Sequence, residues 1–230
     1  MYKSLDNRLR VLRVAVLQVA LDTDDLHRAL SLAAKLSFET KCENLWIEAG
    51  TPLIKAWGIH SVSLLKNITG CIVVADTKTM DTGGFEAEIM LRAGADVVTV
   101  LGLADDSTII DALEKTRSYN KLLAVDLINH PKPFERAFEL DRLGVDIILY
   151  HIGIDVQKKR GITAAVLIEE IKSLRNRIKA KIAVAGGIRH GQAAPLVKAG
   201  ADIIIVGGAI TRAQDPVKST KMFLEEIRNM

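Results

Sequence analysis

Acidic residues and one histidine stand at the ends of short apolar runs that are far apart in the chain. Asp22, Asp76 and His151 each directly follow such a run, and Glu48 and Asp126 each stand one residue before the end of another. Carboxylate oxygens are the ligands that Mg²⁺ prefers, while an imidazole titrates near neutral pH and can carry a proton. These residue types are suited to metal binding and proton transfer, provided that the fold brings them together.

A lysine and a further acid follow in the pattern Asp76-x-Lys78-x-x-Asp81. Mixed charges of this kind commonly form surface ion pairs, but their position directly behind the apolar run Ile72 to Ala75 favours a functional cluster. Lys78 could instead form a Schiff base with a carbonyl substrate. The flanking carboxylates favour the protonated amine, which is a poor nucleophile, so we expect Lys78 to neutralise developing charge.

Two pairs of glycines follow two further apolar runs. They are Gly186-Gly187 and Gly207-Gly208, and Arg212 lies a few residues beyond the second pair. Paired glycines ease tight turns, but they also expose backbone N–H groups of the kind that hold phosphate in many barrels. The sequence thus predicts phosphate binding at Gly187, Gly207 and Gly208, with Arg212 as a secondary candidate.

The apolar runs alternate with segments whose apolar residues recur at helical spacing. Parallel strands that are buried on both faces and covered by helices produce this pattern. Asp24 is predicted to cap the first helix, and Asp215-Pro216 opens the last one. Eight runs are predicted as strands: Ala15 to Leu21, Leu45 to Ala49, Ile72 to Ala75, Val97 to Leu101, Leu122 to Leu127, Ile147 to Tyr150, Ile182 to Ala185 and Ile203 to Val206.

The runs recur regularly, about every 26 residues, which is the size of a compact βα repeat. The predicted fold class is α/β, a single (β/α)8 barrel of the TIM type over residues 14–230, behind a basic leader over residues 1–13. A doubly wound open sheet is the alternative, but no glycine fingerprint of a dinucleotide site follows the first run. In a barrel all strands end at one rim, so the candidate residues should converge there.

Charge and composition exclude several classes of protein. Of 230 residues, 31 are Lys or Arg and 28 are Asp or Glu, so the net charge of +3 is small. A nucleic-acid partner is not expected, and no apolar run approaches the ~18 residues of a membrane span. The two cysteines, Cys42 and Cys71, are too few for a disulfide framework. We expect both to be reduced thiols in a cytoplasmic protein.

Several segments occur in the order found in one group of barrel enzymes. They include Leu17-Gln18-Val19-Ala20-Leu21-Asp22, Glu48-Ala49-Gly50-Thr51-Pro52, Ala75-Asp76-Thr77-Lys78-Thr79-Met80-Asp81, Val125-Asp126-Leu127, His151-Ile152-Gly153-Ile154-Asp155 and Gly207-Gly208-Ala209-Ile210-Thr211-Arg212. Through them, nearly the whole chain after Arg13 resembles the 3-hexulose-6-phosphate synthases of the orotidine-monophosphate decarboxylase superfamily.

The resemblance implies a dimeric barrel that uses Mg²⁺, or Mn²⁺ in its place, to join ribulose 5-phosphate and formaldehyde reversibly into a 3-hexulose 6-phosphate. The implied partners are a small sugar phosphate, formaldehyde and a second copy of the chain, without nucleic acid or membrane. Asp81 is implied to serve the active site of the neighbouring subunit. The implied roles are metal ligation by Glu48 and Asp76, catalysis by Asp22, Lys78, Asp81 and His151, and substrate binding by Asp126, Gly187, Gly207, Gly208 and Arg212.

A sibling family, the 3-keto-gulonate-6-phosphate decarboxylases, shares the acid and lysine motif. Where that family carries Glu, a basic residue, Thr and Arg, this chain has Asp126, Ile154, Ala185 and Gly208, which all resemble the synthases. Thr77 departs from the pattern, because an apolar residue is more usual there. A non-catalytic sugar-phosphate-binding barrel is a further alternative, but such a relative should have lost part of the acid and lysine set, which is complete here.

Overall fold

Eight parallel strands close into a barrel in the computed structural model of the chain, which describes residues 15–161 and 163–228. The predicted (β/α)8 fold is confirmed, while the leader predicted at residues 1–13 lies outside the described residues. The strands, in barrel order, are β1 (Val16–Leu21), β2 (Leu45–Ala49), β3 (Ile72–Thr79), β4 (Val97–Leu101), β5 (Leu122–Asp126), β6 (Ile147–His151), β7 (Lys181–Ala185) and β8 (Ile203–Val206).

Helices lie between successive strands and cover the outside of the barrel. Within the described ranges, none combines the length and apolar character needed to cross a membrane. The helices are α1 (Leu26–Thr40), α2 (Thr51–Trp57), α3 (Ile59–Thr69), α4 (Gly83–Arg92), α5 (Asp106–Ser118), α6 (Pro133–Leu143), α7 (Ile154–Arg160), α8 (Ile168–Arg175), α9 (Ala193–Ala199), α10 (Gly208–Thr211) and α11 (Pro216–Arg228), and a 3₁₀ turn spans Ala164–Leu167.

Short polar side chains begin the first and last of these helices. Asp25 caps α1, since its Oδ1 accepts a hydrogen bond from the backbone N–H of Arg28 at 3.0 Å. The prediction of Asp24 as this cap is wrong by one residue, because Asp25 has the extended backbone that aims a carboxylate at the first turn. Asp215 caps α11 as predicted, accepting from the N–H of Lys218 at 2.9 Å. Asp22 therefore does not cap α1.

The core has two layers, because alternate residues of each strand point to opposite faces of the sheet. On β1, Leu17 and Val19 pack outward against the helices, whereas Val16 and Ala20 belong to the layer that fills the barrel. Trp46 of β2 also lies in this inner layer. The inner layer closes the barrel at the amino ends of the strands. Any cavity between the strands must therefore open at their carboxyl ends.

The two cysteines are joined by a disulfide bond in the structure. Cys42 precedes β2 and Cys71 precedes β3, and their Cα atoms lie 5.4 Å apart. The prediction of two reduced thiols is therefore wrong. The two cysteines are 29 residues apart in the sequence, so their contact could not be predicted from spacing. They meet because β2 and β3 are neighbouring parallel strands whose amino ends lie at the same edge of the sheet. The bond lies at the end of the barrel opposite the carboxyl rim.

Candidate active site

A cavity of about 990 Å³ opens at the carboxyl ends of the strands. The closed barrel brings residues from distant parts of the chain to this one rim, as the strand assignment predicts. Nine predicted site residues line the cavity: Asp22, Glu48, Asp76, Lys78, His151, Gly187, Gly207, Gly208 and Arg212.

A bulge near the end of β3 aims two of these side chains. The strand covers Ile72–Thr79, longer than predicted, and its register with β4 shifts near its carboxyl end. Lys78 has a φ of 49°, which is uncommon for a residue other than glycine. Thr77 Oγ1 donates to the carbonyl of Thr99 at 2.6 Å, and the N–H of Lys78 donates to Thr99 Oγ1 at 3.0 Å. Strand β4 thus holds a bulge that turns both Asp76 and Lys78 toward the cavity.

Asp76 is the most heavily bonded carboxylate of the site. Its Oδ2 accepts from Thr51 Oγ1 at 2.7 Å and from Lys78 Nζ at 2.5 Å, and its Oδ1 accepts from Thr99 Oγ1 at 3.0 Å. Burial acts to raise the pKa of Asp76, but the Lys78 charge and these hydrogen bonds outweigh it and lower the pKa. Burial likewise acts to lower the pKa of Lys78, but Asp76 and Asp126 outweigh it and raise the pKa. The site therefore holds an ionised Asp76 beside a protonated Lys78.

Two further acids share the cavity with Asp76. Glu48 is buried, and its Oε2 accepts from Gln18 Nε2 at 2.6 Å. Burial, followed by the charges of Asp76 and Asp22, holds the pKa of Glu48 well above its usual range. Burial and then Asp76 also raise the pKa of Asp22. Like charges in one site repel one another, so the neutral forms of Glu48 and Asp22 are favoured beside the ionised Asp76.

His151 is held from behind by a buried acid. Its Nδ1 lies 2.9 Å from Asp126 Oδ2, while Asp126 Oδ1 accepts from the N–H of Ile128 at 2.9 Å. Lys78 Nζ lies 3.5 Å from the same Asp126 Oδ2. Asp126, predicted to bind substrate, has 0% exposure and lies outside the cavity lining. It positions His151 and Lys78 instead, which leaves Nε2 of His151 as the ring nitrogen available for proton transfer.

The glycine pairs after β7 and β8 form one wall of the cavity. Gly187 has a φ of 67°, a conformation that favours glycine, and a Cβ there would lie 2.5 Å from Gln157 Oε1. A Cβ on Gly208 would overlap an Nη atom of Arg212. The Arg212 guanidinium therefore lies directly over Gly208, and the two residues form a single unit.

This unit predicts a ranked effect on the binding of a phosphorylated substrate. We expect Gly208→Val to raise the KM for the sugar phosphate roughly thirtyfold, because the side chain both covers backbone N–H groups and displaces the guanidinium. Arg212→Ala removes the guanidinium alone and should raise KM only about fivefold. Steady-state kinetics of both single variants and the double variant measure this. A larger effect of Arg212→Ala than of Gly208→Val would mean that a side chain, not the backbone, holds the phosphate.

Asp81 lies away from the cavity of its own chain. It is exposed, and its Oδ1 accepts from the N–H of Thr82 at 2.7 Å. Its neighbours Met80 and Phe85 are 53% and 68% exposed, so two large apolar side chains face solvent close to Asp81 in the chain. The structure therefore does not unite Asp81 with the other predicted catalytic residues, and its role in a second subunit stays a prediction.

Sequence reasoning left three residues of the site without a role: Gln18, Thr51 and Thr99. Gln18 bonds Glu48, and the two threonines bond Asp76. A signal for Gln18 was present, because a period of two places it on the same face of β1 as Asp22. The threonines carried no comparable signal, since their contacts depend on how neighbouring strands pair.

The donors present fit a divalent cation such as Mg²⁺. Glu48 and Asp76 offer hard carboxylate oxygens, and Glu48 stands in an excess of negative charge that a cation would relieve. Across residues 15–161 and 163–228, no three His, Cys, Asp or Glu side chains are grouped to hold a metal by themselves. Two carboxylates with water and substrate oxygens completing the shell are a usual arrangement for Mg²⁺.

Comparison with known proteins supports the resemblance. The model of the orotidine 5'-phosphate decarboxylase / HUMPS family matches residues 15–223. A 3-hexulose-6-phosphate synthase of Mycobacterium gastri is 40% identical over 206 residues, which are 89% of this chain and 96% of the relative. A crystal structure of a 3-hexulose-6-phosphate synthase superposes with a TM-score of 0.85 at 40% identity, covering 92% of this chain and 99% of the other.

A second solved structure is less similar but still close in fold. It is a KGPDC from Streptococcus mutans, with a TM-score of 0.80 at 26% identity, covering 92% of this chain and 96% of the other. The predicted enzyme class, an aldehyde-lyase of the 3-hexulose-6-phosphate synthase type, agrees with the two relatives that are 40% identical to this chain. The chain belongs to the orotidine 5'-phosphate decarboxylase / HUMPS family.

Proposed function

We propose that the chain catalyses the reversible aldol addition of ribulose 5-phosphate to formaldehyde, giving a 3-hexulose 6-phosphate. One observation carries the proposal: a protonated Lys78 stands between Asp76 and Asp126, and the same Asp126 holds His151 at the cavity rim. This arrangement suits a reaction in which a proton leaves the carbon beside a ketone and negative charge builds on oxygen. The similarity to named 3-hexulose-6-phosphate synthases supports this choice of substrates.

Different residues of the chain would carry out different parts of this reaction. A base removes one proton from the carbon next to the ketone, and the resulting enediolate carbon attacks formaldehyde. The oxygen of formaldehyde takes up one proton, so the proton balance closes. His151 is placed to carry a proton through Nε2, and Lys78 stabilises negative charge without forming a covalent bond to the substrate. Asp22 lines the same cavity and would orient the sugar.

A divalent cation completes the proposal. Glu48 and Asp76 would hold Mg²⁺, with Mn²⁺ as an alternative, and Gln18, Thr51 and Thr99 would keep the two carboxylates in place. When bound, the cation supplies electrostatic stabilisation for the negative charge that develops on adjacent substrate oxygens. A cation held by Glu48 and Asp76 would also offset the repulsion that these two acids and Asp22 exert on one another.

A homodimer with shared active sites is the second part of the proposal. Asp81 is exposed between the exposed apolar side chains of Met80 and Phe85. Apolar surface of this kind is commonly covered by a partner, and a partner seated there would receive Asp81 near its own cavity. A cytoplasmic location is retained from the sequence prediction, although the bond between Cys42 and Cys71 is of a kind less common there.

The decarboxylase alternative is not favoured by the cavity. Ile154, Ala185 and Gly208, at the positions where the sibling family differs, all line it. None of the three is charged, so none could pair with the additional carboxylate of a keto-gulonate phosphate. Arg212, by contrast, lies at the glycine wall, where we place the phosphate.

The test of the proposed function is a direct assay. We expect purified protein with Mg²⁺ to consume formaldehyde in the presence of ribulose 5-phosphate and to form one hexulose phosphate in equal amount. Formaldehyde also reacts with protein amines, so parallel reactions lack ribulose 5-phosphate or contain the Lys78→Ala variant. Absence of the hexulose product, or release of carbon dioxide from 3-keto-gulonate 6-phosphate at a higher rate, would contradict the proposal.

A further inference from the structure

The cavity wall where we place the phosphate, here called the phosphate wall, is formed by two glycine loops. These loops follow different strands. One loop follows β7 and includes Gly187 and His190, and the other follows β8 and includes Gly208 and Ala209, and all four residues line the cavity. A phosphate that receives N–H groups from both loops requires a fixed distance between them. The contacts that set this distance come from helix α11, which lies behind both loops.

Ser219 of α11 bridges the loops through a single hydroxyl group. His190 Nε2 lies 2.9 Å from Ser219 Oγ, and Ser219 Oγ donates to the carbonyl of Ala209 at 3.0 Å. A serine has one hydroxyl proton, and Ser219 donates it to the carbonyl of Ala209, so Ser219 Oγ accepts from His190 in the tautomer that carries a proton on Nε2. The bridge therefore links the β7 loop to the β8 loop through two hydrogen bonds at one oxygen.

Two more residues of the same helix fix the β7 loop. Glu226 Oε1 accepts from the N–H of Gly191 at 3.0 Å and lies 3.2 Å from His190 Nδ1. The ring of Phe223 stacks on the imidazole of His190, with centroids 4.0 Å apart. Ser219, Phe223 and Glu226 are spaced four and three residues apart, so they lie on one face of the helix.

The grouping of Ser219, His190 and Glu226 resembles a hydrolytic triad but is not one. The Ser219 proton is directed to Ala209 and away from His190, so the imidazole does not activate the hydroxyl. Ser219 is also 5% exposed and does not line the cavity. The three residues act on the loops and not on a substrate.

We propose that Ser219, His190 and Glu226, here called the α11 clamp, are positioning residues that hold both glycine loops at the spacing required by the substrate phosphate. The inference rests on the proposed function for the identity of the sugar phosphate. It concerns the phosphate wall and not the acids and lysine to which the chemical step is assigned. The α11 clamp should therefore govern affinity for the phosphate and leave the chemical step unchanged.

The test removes the bridge and compares substrates with and without a phosphate. We expect Ser219→Ala to raise the KM for ribulose 5-phosphate roughly tenfold with kcat changed by less than about twofold, because the loops lose their shared hydrogen bonds. The kcat/KM for unphosphorylated ribulose should stay at the wild-type value. Ser37→Ala is the matched control, since it removes a buried hydroxyl that donates to the carbonyl of Ala34 inside α1, away from the cavity.

The outcomes separate the clamp from the proposed function. An unchanged KM in Ser219→Ala, or an equal loss with both sugars, would overturn the clamp. His190→Phe, which keeps a ring for stacking on Phe223 but loses both nitrogens, should reproduce the KM effect. Calorimetric titration of wild type and Ser219→Ala with inorganic phosphate measures the effect of the clamp on phosphate affinity without any turnover. Weaker phosphate binding in the variant supports it even if the aldol assay fails, and equal binding contradicts it.

Discussion

Exhaustive removal of divalent cations is expected to lower the formaldehyde-consuming activity about a thousandfold, and Mg²⁺ or Mn²⁺ should restore it. The reason is the charge of the site, where Glu48, Asp76 and Asp22 share one cavity with the cations Lys78 and Arg212. In the proposed mechanism a divalent cation offsets the charge that builds on the substrate beside these acids. Activity is measured before and after chelation, and after stepwise return of each metal.

A variant and a trapping experiment control this expectation. Glu48→Gln keeps the volume of the side chain but removes one carboxylate, so metal affinity measured by calorimetry should fall at least about tenfold. Lys78 should not be trapped on the substrate by borohydride, because Asp76 and Asp126 raise its pKa and keep it protonated. Full activity after chelation together with a reduced adduct on Lys78 would replace the metal mechanism by a Schiff-base mechanism.

The pH dependence of metal binding provides an independent measurement. Burial and the neighbouring acids hold the pKa of Glu48 well above its usual range. A carboxyl must lose its proton to bind a cation, so binding releases a proton wherever Glu48 is still protonated. The apparent affinity should therefore rise with pH up to the raised pKa and level off above it. Titrations in buffers of different ionisation enthalpy count the protons released, and Glu48→Gln should release fewer than the wild type.

The barrel was predictable because its strands carry a signal of their own. Buried parallel strands are continuous apolar runs, and the predicted runs match the observed strands to within one residue at each end, as β2 and β4 illustrate, with one exception. The exception is β3. Its last residues, from Asp76 to Thr79, are polar and read as a loop, and hydrogen bonds to Thr99 of β4 hold them in the sheet.

The sequence predicted which residues line the site better than it predicted the role of each residue. Residue type and position at a strand end placed nine residues on the cavity, but they could not tell which acid faces it. Asp126 was assigned to the substrate, whereas the structure buries it behind His151. The link between Cys42 and Cys71 was missed for the same reason, since both depend on which side chains meet across neighbouring strands. Such contacts are properties of the packed barrel and not of any local segment.

Equal amounts of inactive Lys78→Ala and Asp81→Ala chains, refolded together, are expected to recover about a quarter of wild-type activity. In the proposed dimer each cavity uses its own Lys78 and the partner's carboxylate at position 81. Random pairing makes about half of the dimers mixed, and each mixed dimer holds one intact site and one doubly altered site. Each variant refolded alone should stay inactive. The recovered activity therefore shows directly whether the two subunits share their active sites.

The value of this experiment depends on showing that mixed dimers form. Sedimentation should first establish that both variants dimerise, and a tag on one variant allows the mixed species to be isolated. Asp81 is exposed and accepts a hydrogen bond from the N–H of Thr82, so its removal should not disturb the cavity of its own chain. Activity lost in Asp81→Ala must then come from another chain's site. Purified mixed dimers without activity would mean that Asp81 acts within its own chain, and the exposed surface around Met80 and Phe85 would need a different partner.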